Sequence, residues 1–291
     1  MASGILNVDK PVGPSSFGAV RAIRRLPGIT KVGHGGTLDP AAAGVLPILV
    51  NAATRLADFV HEWPKTYLAT VTFGAVSDTG DSEGTITPSG DPRGITQARI
   101  EAVLPSFTGQ IDQVPPLYSA LKQGGEPLYR KARRGEVVER LPRRVDIQMI
   151  RLISYDPASA AARFEVRSGR GMYVRSLAQD LGSALGCGAY LSGLTRSAVG
   201  PLTLDTAIPL TRLGEMGEMW RDRLLPLDLP LREWPALTLD RQTVEAIRRG
   251  RRITAPASAR GRYRMLDPEG QLVAWGEVDG SQLQPRAVFD T

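Results

Sequence analysis

The chain has 291 residues, 42% of them hydrophobic and 23% charged, with a net charge of +6 at pH 7. That balance excludes a disordered chain and fits a large folded domain with a smaller one beside it. A single cysteine, Cys187, and two histidines, His34 and His61, exclude an internal disulfide, a multi-cysteine zinc motif and a histidine-rich metal site.

Residues 4–8 read as a short buried strand and residues 9–14 as a stiff loop. Asp9 and Lys10 interrupt the N-terminus where a secretory signal would need an apolar run, so a soluble cytoplasmic protein is expected. Ser15 or Ser16 caps a helix whose positions Phe17, Val20 and Ile23 recur every three residues, and Pro27-Gly28 stops it. Its far end carries Arg21, Arg24 and Arg25, available to phosphate.

The stretch Gly33-His34-Gly35-Gly36-Thr37-Leu38-Asp39-Pro40 follows. Three glycines in four residues allow positive φ and close approach of another molecule. Pro40 biases Asp39 towards an extended conformation. A carboxylate presented at the end of a glycine loop suits a reaction centre; it equally suits an ordinary turn.

Residues 44–50 read as a strand, and Asn51 as the cap of a helix reaching His61 with Ala53, Leu56, Ala57 and Val60 on one face. Residues 67–73 alternate as a strand. An EF-hand over residues 78–89 fails, because its third position is Gly80 and its twelfth Ser89; an acidic turn remains. Residues 96–104 form a short helix, and residues 113–122 are extended and proline-stiffened.

Charge is unevenly placed. Residues 117–144 hold eight Lys/Arg against three Asp/Glu, whereas residues 75–116 hold two against six. With Tyr118 and Tyr129 interleaved, the basic segment resembles an RNA-contacting surface, although a solvated face would show the same excess.

Residues 145–153 and 161–168 pair as strands. A helix follows with Leu177, Leu181 and Leu185 on one face, ended by Gly186. Arg175 stands in its first turn, where an anion is favoured, or merely faces water. Proline-spaced leucines at 224–231 mark a linker. Residues 238–252 form an amphipathic helix, and short strands at 263–266 and 272–275 complete a β-barrel-like module. P-loop and Rossmann patterns are absent from the sequence.

Several landmarks in register resemble the bacterial tRNA pseudouridine-55 synthases, of the TruB type. They are Asp9-Lys10-Pro11-Val12-Gly13, the 33–40 stretch, Gly44-Val45-Leu46-Pro47 and Tyr67. They continue with the turn at 78–84, Tyr118-Ser119-Ala120-Leu121-Lys122, Gly171-Met172-Tyr173-Val174-Arg175 and Leu194-Thr195-Arg196. The resemblance implies an α+β pseudouridine synthase fold with a mixed, largely antiparallel sheet over residues 1–231. It also implies a small PUA-like β-barrel over 232–291, with residues 117–144 as a thumb-like RNA-binding insertion.

The implied reaction isomerises uridine 55 in the tRNA T arm, needs no cofactor or metal, and involves no membrane and no protein partner; a monomer is expected. By resemblance Asp39 is the catalytic carboxylate, attacking ribose C1′ or the base, or assisting a glycal route. Arg175 pairs with it and favours its ionised form. Tyr67 stacks on the uracil, Tyr173 and Leu194 wall the pocket, and Asp81 supports it. His34 fills the space vacated by the flipped base, and Lys10 holds RNA backbone. Two positions depart from the family: Gly35 replaces threonine and loosens a loop contact, and Met172 removes a hydroxyl. The alternatives are an RNA-binding or tRNA-folding protein with an idle pocket, and a synthase acting on another RNA.

Overall fold

The computed structural model describes residues 1–119, 121–134, 136 and 138–289. Ala120, Gly135, Val137, Asp290 and Thr291 lie outside them, as do the side chains of Lys122, Pro127, Tyr129 and Arg133. The stacking expected of Tyr129 and the Ala120 landmark therefore fall outside the described residues.

In chain order the first half comprises β1 (Gly4–Lys10), α1 (Ser16–Ile23), β2 (Val32–His34), β3 (Ala42–Val50), α2 (Ala57–Glu62), β4 (Lys65–Phe73), β5 (Ala75–Ser77), β6 (Ile86–Pro88), α3 (Gln97–Val103) and β7 (Gly109–Gln113). A small hairpin, β8 (Lys122–Gln123) and β9 (Glu126–Pro127), leads to α4 (Leu128–Arg133). Then come β10 (Arg143–Asp156), β11 (Ala161–Ser168), α5 (Val174–Ala184), β12 (Ala189–Val199), β13 (Leu202–Thr203), β14 (Ile208–Pro209) and α6 (Leu210–Glu215).

The main sheet runs β14-β1-β3-β12-β4-β11-β10-β7, with β2 and β13 attached to β3 and β12. Only β1–β14 and β3–β12 are parallel, so the sheet is mixed and largely antiparallel. Its centre is made by pairing three strands whose sequences differ in kind. β3 is apolar nearly throughout because both its faces are covered. β4 alternates buried and half-buried residues, Lys65, Tyr67, Ala69, Val71 and Phe73 pointing inward. β12 has no such alternation, and sequence reading passed over it.

One sheet face packs against α5 and α3 through Ala69, Val71, Phe164, Leu177 and Leu181. Near the N-terminus α1 and α6 cover Leu6, Val8, Leu46 and Ile48. Each such aliphatic side chain removed from water contributes about 1.5–3 kcal/mol.

Three expectations need correction. β1 extends through Asp9 and Lys10, which were expected to be loop, because Asp9 and Lys10 pair with Val45 and Gly44. Phe17 is not a core residue of α1; it is 65% exposed, while Ala19, Val20 and Ile23 face inward. Asn51 does not cap a helix. It adopts φ +53°, and its amide bonds the backbone of Thr30, Lys31, Ala2 and Gly28; a 3₁₀ turn over Asn51–Leu56 separates it from α2. The leucines at 224–231, expected as a linker, are packed onto the fold: Leu225 bonds Ile5 through both backbone groups, and Leu227 and Leu231 are buried.

The C-terminal sheet comprises β15 (Ala236–Thr238), β16 (Ile253–Thr254), β17 (Arg262–Leu266), β18 (Leu272–Asp279) and β19 (Gln282–Val288), in the order β15-β17-β18-β19-β16. Helix α7 (Arg241–Arg248) begins three residues later than expected because the Asp240 side chain accepts the Thr243 N–H and caps it. This module meets the main sheet through a T-shaped aromatic triad. Phe59 of α2 lies 5.1 Å from Trp234 and 5.4 Å from Trp275, which are 5.6 Å apart.

Candidate active site

Asp39 sits between two cavities, of about 380 and 490 Å³, and lines both. Nearly every peptide leading to it is tied down. β2 pairs Gly33 with Leu49 and His34 with Ile48. The Gly35 N–H donates to the Pro47 carbonyl at 2.8 Å. The Ser16 hydroxyl donates to the Leu38 carbonyl at 2.8 Å and accepts the Leu38 N–H at 2.7 Å. The Asp39 carbonyl accepts from Ala42 and the Pro40 carbonyl from Gly13.

Gly36 and Thr37 are held by Arg196, a residue the sequence reading placed in a landmark but gave no role. Arg196 is 1% exposed, and its guanidinium donates to the carbonyls of Val45 (2.8 Å), Thr37 (3.2 Å) and Gly36 (3.0 Å). Burial pushes its pKa down, opposed by Tyr67 and Asp39. A cation inside the sheet thus gathers three carbonyls of the loop and strand, satisfying groups that would otherwise be orphaned. Gly44, at φ +106°, makes room for it: a Cβ there would collide with the Arg196 backbone.

The loop is therefore not loosened at Gly35, contrary to expectation. Gly35 is buried, and a Cβ there would overlap Val60 Cγ1 of α2. Val60 fills the volume that a side chain at 35 would take.

Arg175 reaches Asp39 from α5, Nη2 to Oδ2 at 2.9 Å. It does not face water; its side chain is 5% exposed. Nη1 donates to the Thr79 carbonyl at 3.0 Å and Nη2 to the Tyr118 carbonyl at 2.9 Å, while Nε lies 3.6 Å from Asp81 Oδ2. Asp81 is held by the Thr79 hydroxyl (2.6 Å) and the Glu83 N–H (3.1 Å) within the turn between β5 and β6. One guanidinium thus joins four chain segments.

Burial pushes the Asp39 carboxyl above the usual carboxylate range. Arg175 pulls it back, Asp81 adds to the rise, and Lys10 opposes it more weakly. The cation was expected to set the balance; burial outweighs it.

Tyr67, Tyr173 and Leu194 line the smaller cavity with Asp39 and Arg175. Tyr67 is 9% exposed. The Tyr173 N–H is held by the Gln113 side chain at 2.8 Å, and burial raises its hydroxyl pKa. Met172 lines the same wall. Lys65, not anticipated, shares the inward face of β4 with Tyr67 and lines this cavity; its ammonium donates to the His61 carbonyl. Burial lowers its pKa to about 8, helped by Arg196. A lysine spaced two residues before the pocket tyrosine was the available signal.

His34 lies on the other side of Asp39, in the larger cavity. Burial, then His61 and Arg196, lower its pKa, so it is neutral; Nδ1 accepts the Gly36 N–H at 3.3 Å. Lys10, expected to hold RNA, is fully buried and donates to the carbonyls of Pro11 (2.8 Å) and Pro14 (2.9 Å), bracing the loop beside Asp39. In the basic segment Arg134 is paired with Glu126 and Glu136, while Arg130, Arg140, Arg143 and Arg144 are exposed.

Residues 24–174 match the family described as TruB family pseudouridylate synthase (N terminal domain). Residues 175–232 match tRNA pseudouridylate synthase B C-terminal domain, and residues 234–290 match tRNA Pseudouridine synthase II, C terminal. The chain is 42% identical over 291 residues to a protein of Xanthomonas campestris pv. campestris (strain B100), covering 99% of this chain and 94% of that one. It is 39% identical over 292 residues to one of Azoarcus sp. (strain BH72), covering 100% and 96%. Both are named tRNA pseudouridine synthase B. Among solved structures it resembles "Crystal Structure of a Cbf5-Nop10-Gar1 Complex", with a TM-score of 0.74 and 26% identity over 99% of this chain and 85% of that one.

Proposed function

The chain belongs to the TruB family of pseudouridylate synthases, and we propose on that premise that it converts uridine 55 of the tRNA T arm to pseudouridine, with Asp39 as the catalytic carboxylate. The observation that carries the reading is Asp39 at the meeting of two cavities, 2.9 Å from a buried arginine.

The isomerisation breaks the ribose C1′–N1 bond, turns the uracil, joins C1′ to C5 and exchanges the C5 proton for one on N1. Nothing is oxidised and no group leaves. Asp39 attacks as a nucleophile or stabilises the electron-poor sugar. Arg175 holds the carboxylate in place and counters the rise in its pKa that burial causes. Tyr67 stacks on the uracil, Tyr173 and Leu194 confine it while it turns, and Asp81 fixes Arg175.

The target base has to leave its stack, at a cost of about a few kcal/mol. His34, neutral and anchored beside Asp39, occupies the vacated space without adding a charge. Residues 1–231 form the catalytic domain, 117–144 its RNA-holding thumb and 232–291 the PUA-like module. The enzyme works as a monomer in the cytoplasm.

The test is pseudouridine formation on tRNA transcripts by wild type and Asp39→Asn at equal protein. Activity confined to position 55 and abolished in the variant supports the reading; undiminished activity of the variant sinks it.

A further inference from the structure

The stretch from residue 10 to residue 38 holds five Lys/Arg and no Asp/Glu. Within it, Phe17 and Arg21 stand at i and i+4 on α1, and Arg24, its C-cap, and Arg25, in the turn that follows, extend that stripe past the end of the helix. The opposite face, Ala19, Val20 and Ile23, is buried. All four stripe residues are exposed, and among the described residues none of the three arginines is in a salt bridge.

The stripe starts at the site. Phe17 lines the larger cavity together with His34, Asp39 and Arg175. The Arg21 guanidinium lies over its ring, 5.3 Å from the centroid, and the ring stays 65% exposed. From Phe17 to Arg24 the helix advances about 10 Å.

An exposed aromatic ring on the rim of a cavity, followed by unpaired cations in a row, has the composition of a track for single-stranded nucleic acid: a stacking platform, then phosphate contacts. A protein partner would fit it poorly, since three adjacent guanidinium groups without acceptors would have to be buried. Resting on the RNA-modifying reading above, we propose that this stripe of α1 is an RNA docking track separate from the basic segment at 117–144. Phe17 stacks on a nucleobase next to the target uridine, and Arg21, Arg24 and Arg25 hold the phosphates of the strand leaving the cavity.

The test uses full-length protein and a tRNA transcript, with affinity measured from 50 to 300 mM salt and KM and kcat measured alongside. Replacing Arg21, Arg24 and Arg25 together by glutamine is expected to weaken binding about 10- to 100-fold. The slope of log K against log salt should become shallower by about 2, since each phosphate contact contributes about 0.7–0.9. Phe17→Ala is expected to weaken binding about 5- to 50-fold with the salt slope kept, and Phe17→Tyr to restore it. In both cases the loss falls mainly on KM.

Unchanged affinity and slope in the arginine variant, or a Phe17→Ala loss that Phe17→Tyr does not restore, overturns the proposal. If those results come with Asp39→Asn inactive, the reading of the active site survives and only the track fails. If Asp39→Asn is fully active, the reading and the track that rests on it fall together. Circular dichroism of each variant separates misfolding from lost contacts.

Discussion

Val60 Cγ1 occupies the place where a side chain at Gly35 would begin. The two residues are 25 apart in sequence, yet they form one packing unit between the loop that carries Asp39 and α2. Gly35→Thr is therefore expected to destabilise the protein by about 1–3 kcal/mol through overpacking and to lower kcat by displacing Asp39. Adding Val60→Ala to Gly35→Thr should recover a large part of both losses, while Val60→Ala alone leaves a void. Urea unfolding of the four proteins checks this; a purely additive double mutant would refute the pairing.

Two of the charged neighbours of Asp39, Asp81 and Arg175, act on its carboxyl in opposite directions. Asp81 raises its pKa and Arg175 lowers it. Activity that needs the carboxylate is lost as pH falls through the folded-state pKa. Arg175→Met should hence move the acid limb of kcat to higher pH and lower the plateau by about 100- to 1000-fold. Asp81→Asn should move the limb to lower pH. Shifts in the same direction would show that the limb belongs to another group.

Arg196→Met would leave the carbonyls of Val45, Thr37 and Gly36 without their donor inside the protein. A loss of about 3–5 kcal/mol in unfolding free energy is expected, since each buried carbonyl left without a donor costs about 1–3 kcal/mol. Arg196→Lys, with three donors but no planar fork, should recover only part of it. Thermal and urea unfolding measure both.

Lys65 gives a prediction of unusual sign. Its amine titrates near pH 8 in the folded protein and at about 10.4 when unfolded. Between these values the unfolded chain binds more protons, so stability rises with pH across that window. Below pH 8 the buried ammonium costs about 3 kcal/mol. Lys65→Met removes that penalty, so its stability relative to wild type should be greatest at pH 7 and decline by pH 10. Urea unfolding at pH 7, 8.5 and 10 tests the trend.

Much of this was legible in the sequence where a local rule governs the residue. The inward face of β4 follows from alternation, the acidic turn from ligand spacing that fails for calcium, and Asp39 from its glycine loop and its landmarks. The basic segment too was readable, although Glu126 and Glu136 neutralise part of it from within. Residues that obey a distant neighbour were harder. Arg196 looks like a surface cation in the sequence because only the folded sheet brings the carbonyls of Val45, Thr37 and Gly36 to it. β12 lacks alternation because its residues serve a cavity, a parallel neighbour and an antiparallel one at once. Phe17 obeys helical spacing but lies on the wrong side of it, and periodicity alone cannot say which face of a helix meets the core.

The matched N-terminal region ends at Val174 and the next begins at Arg175, both within the first turn of α5. Arg175 nonetheless closes a knot through Asp39, Thr79, Asp81 and Tyr118. A chain cut at that boundary would divide the Asp39–Arg175 ion pair between two polypeptides. Neither piece could hold a working pocket, and any regained turnover would report their reassembly. The protein is in this way a ready split reporter, silent in halves, whose signal depends on one guanidinium finding one carboxylate.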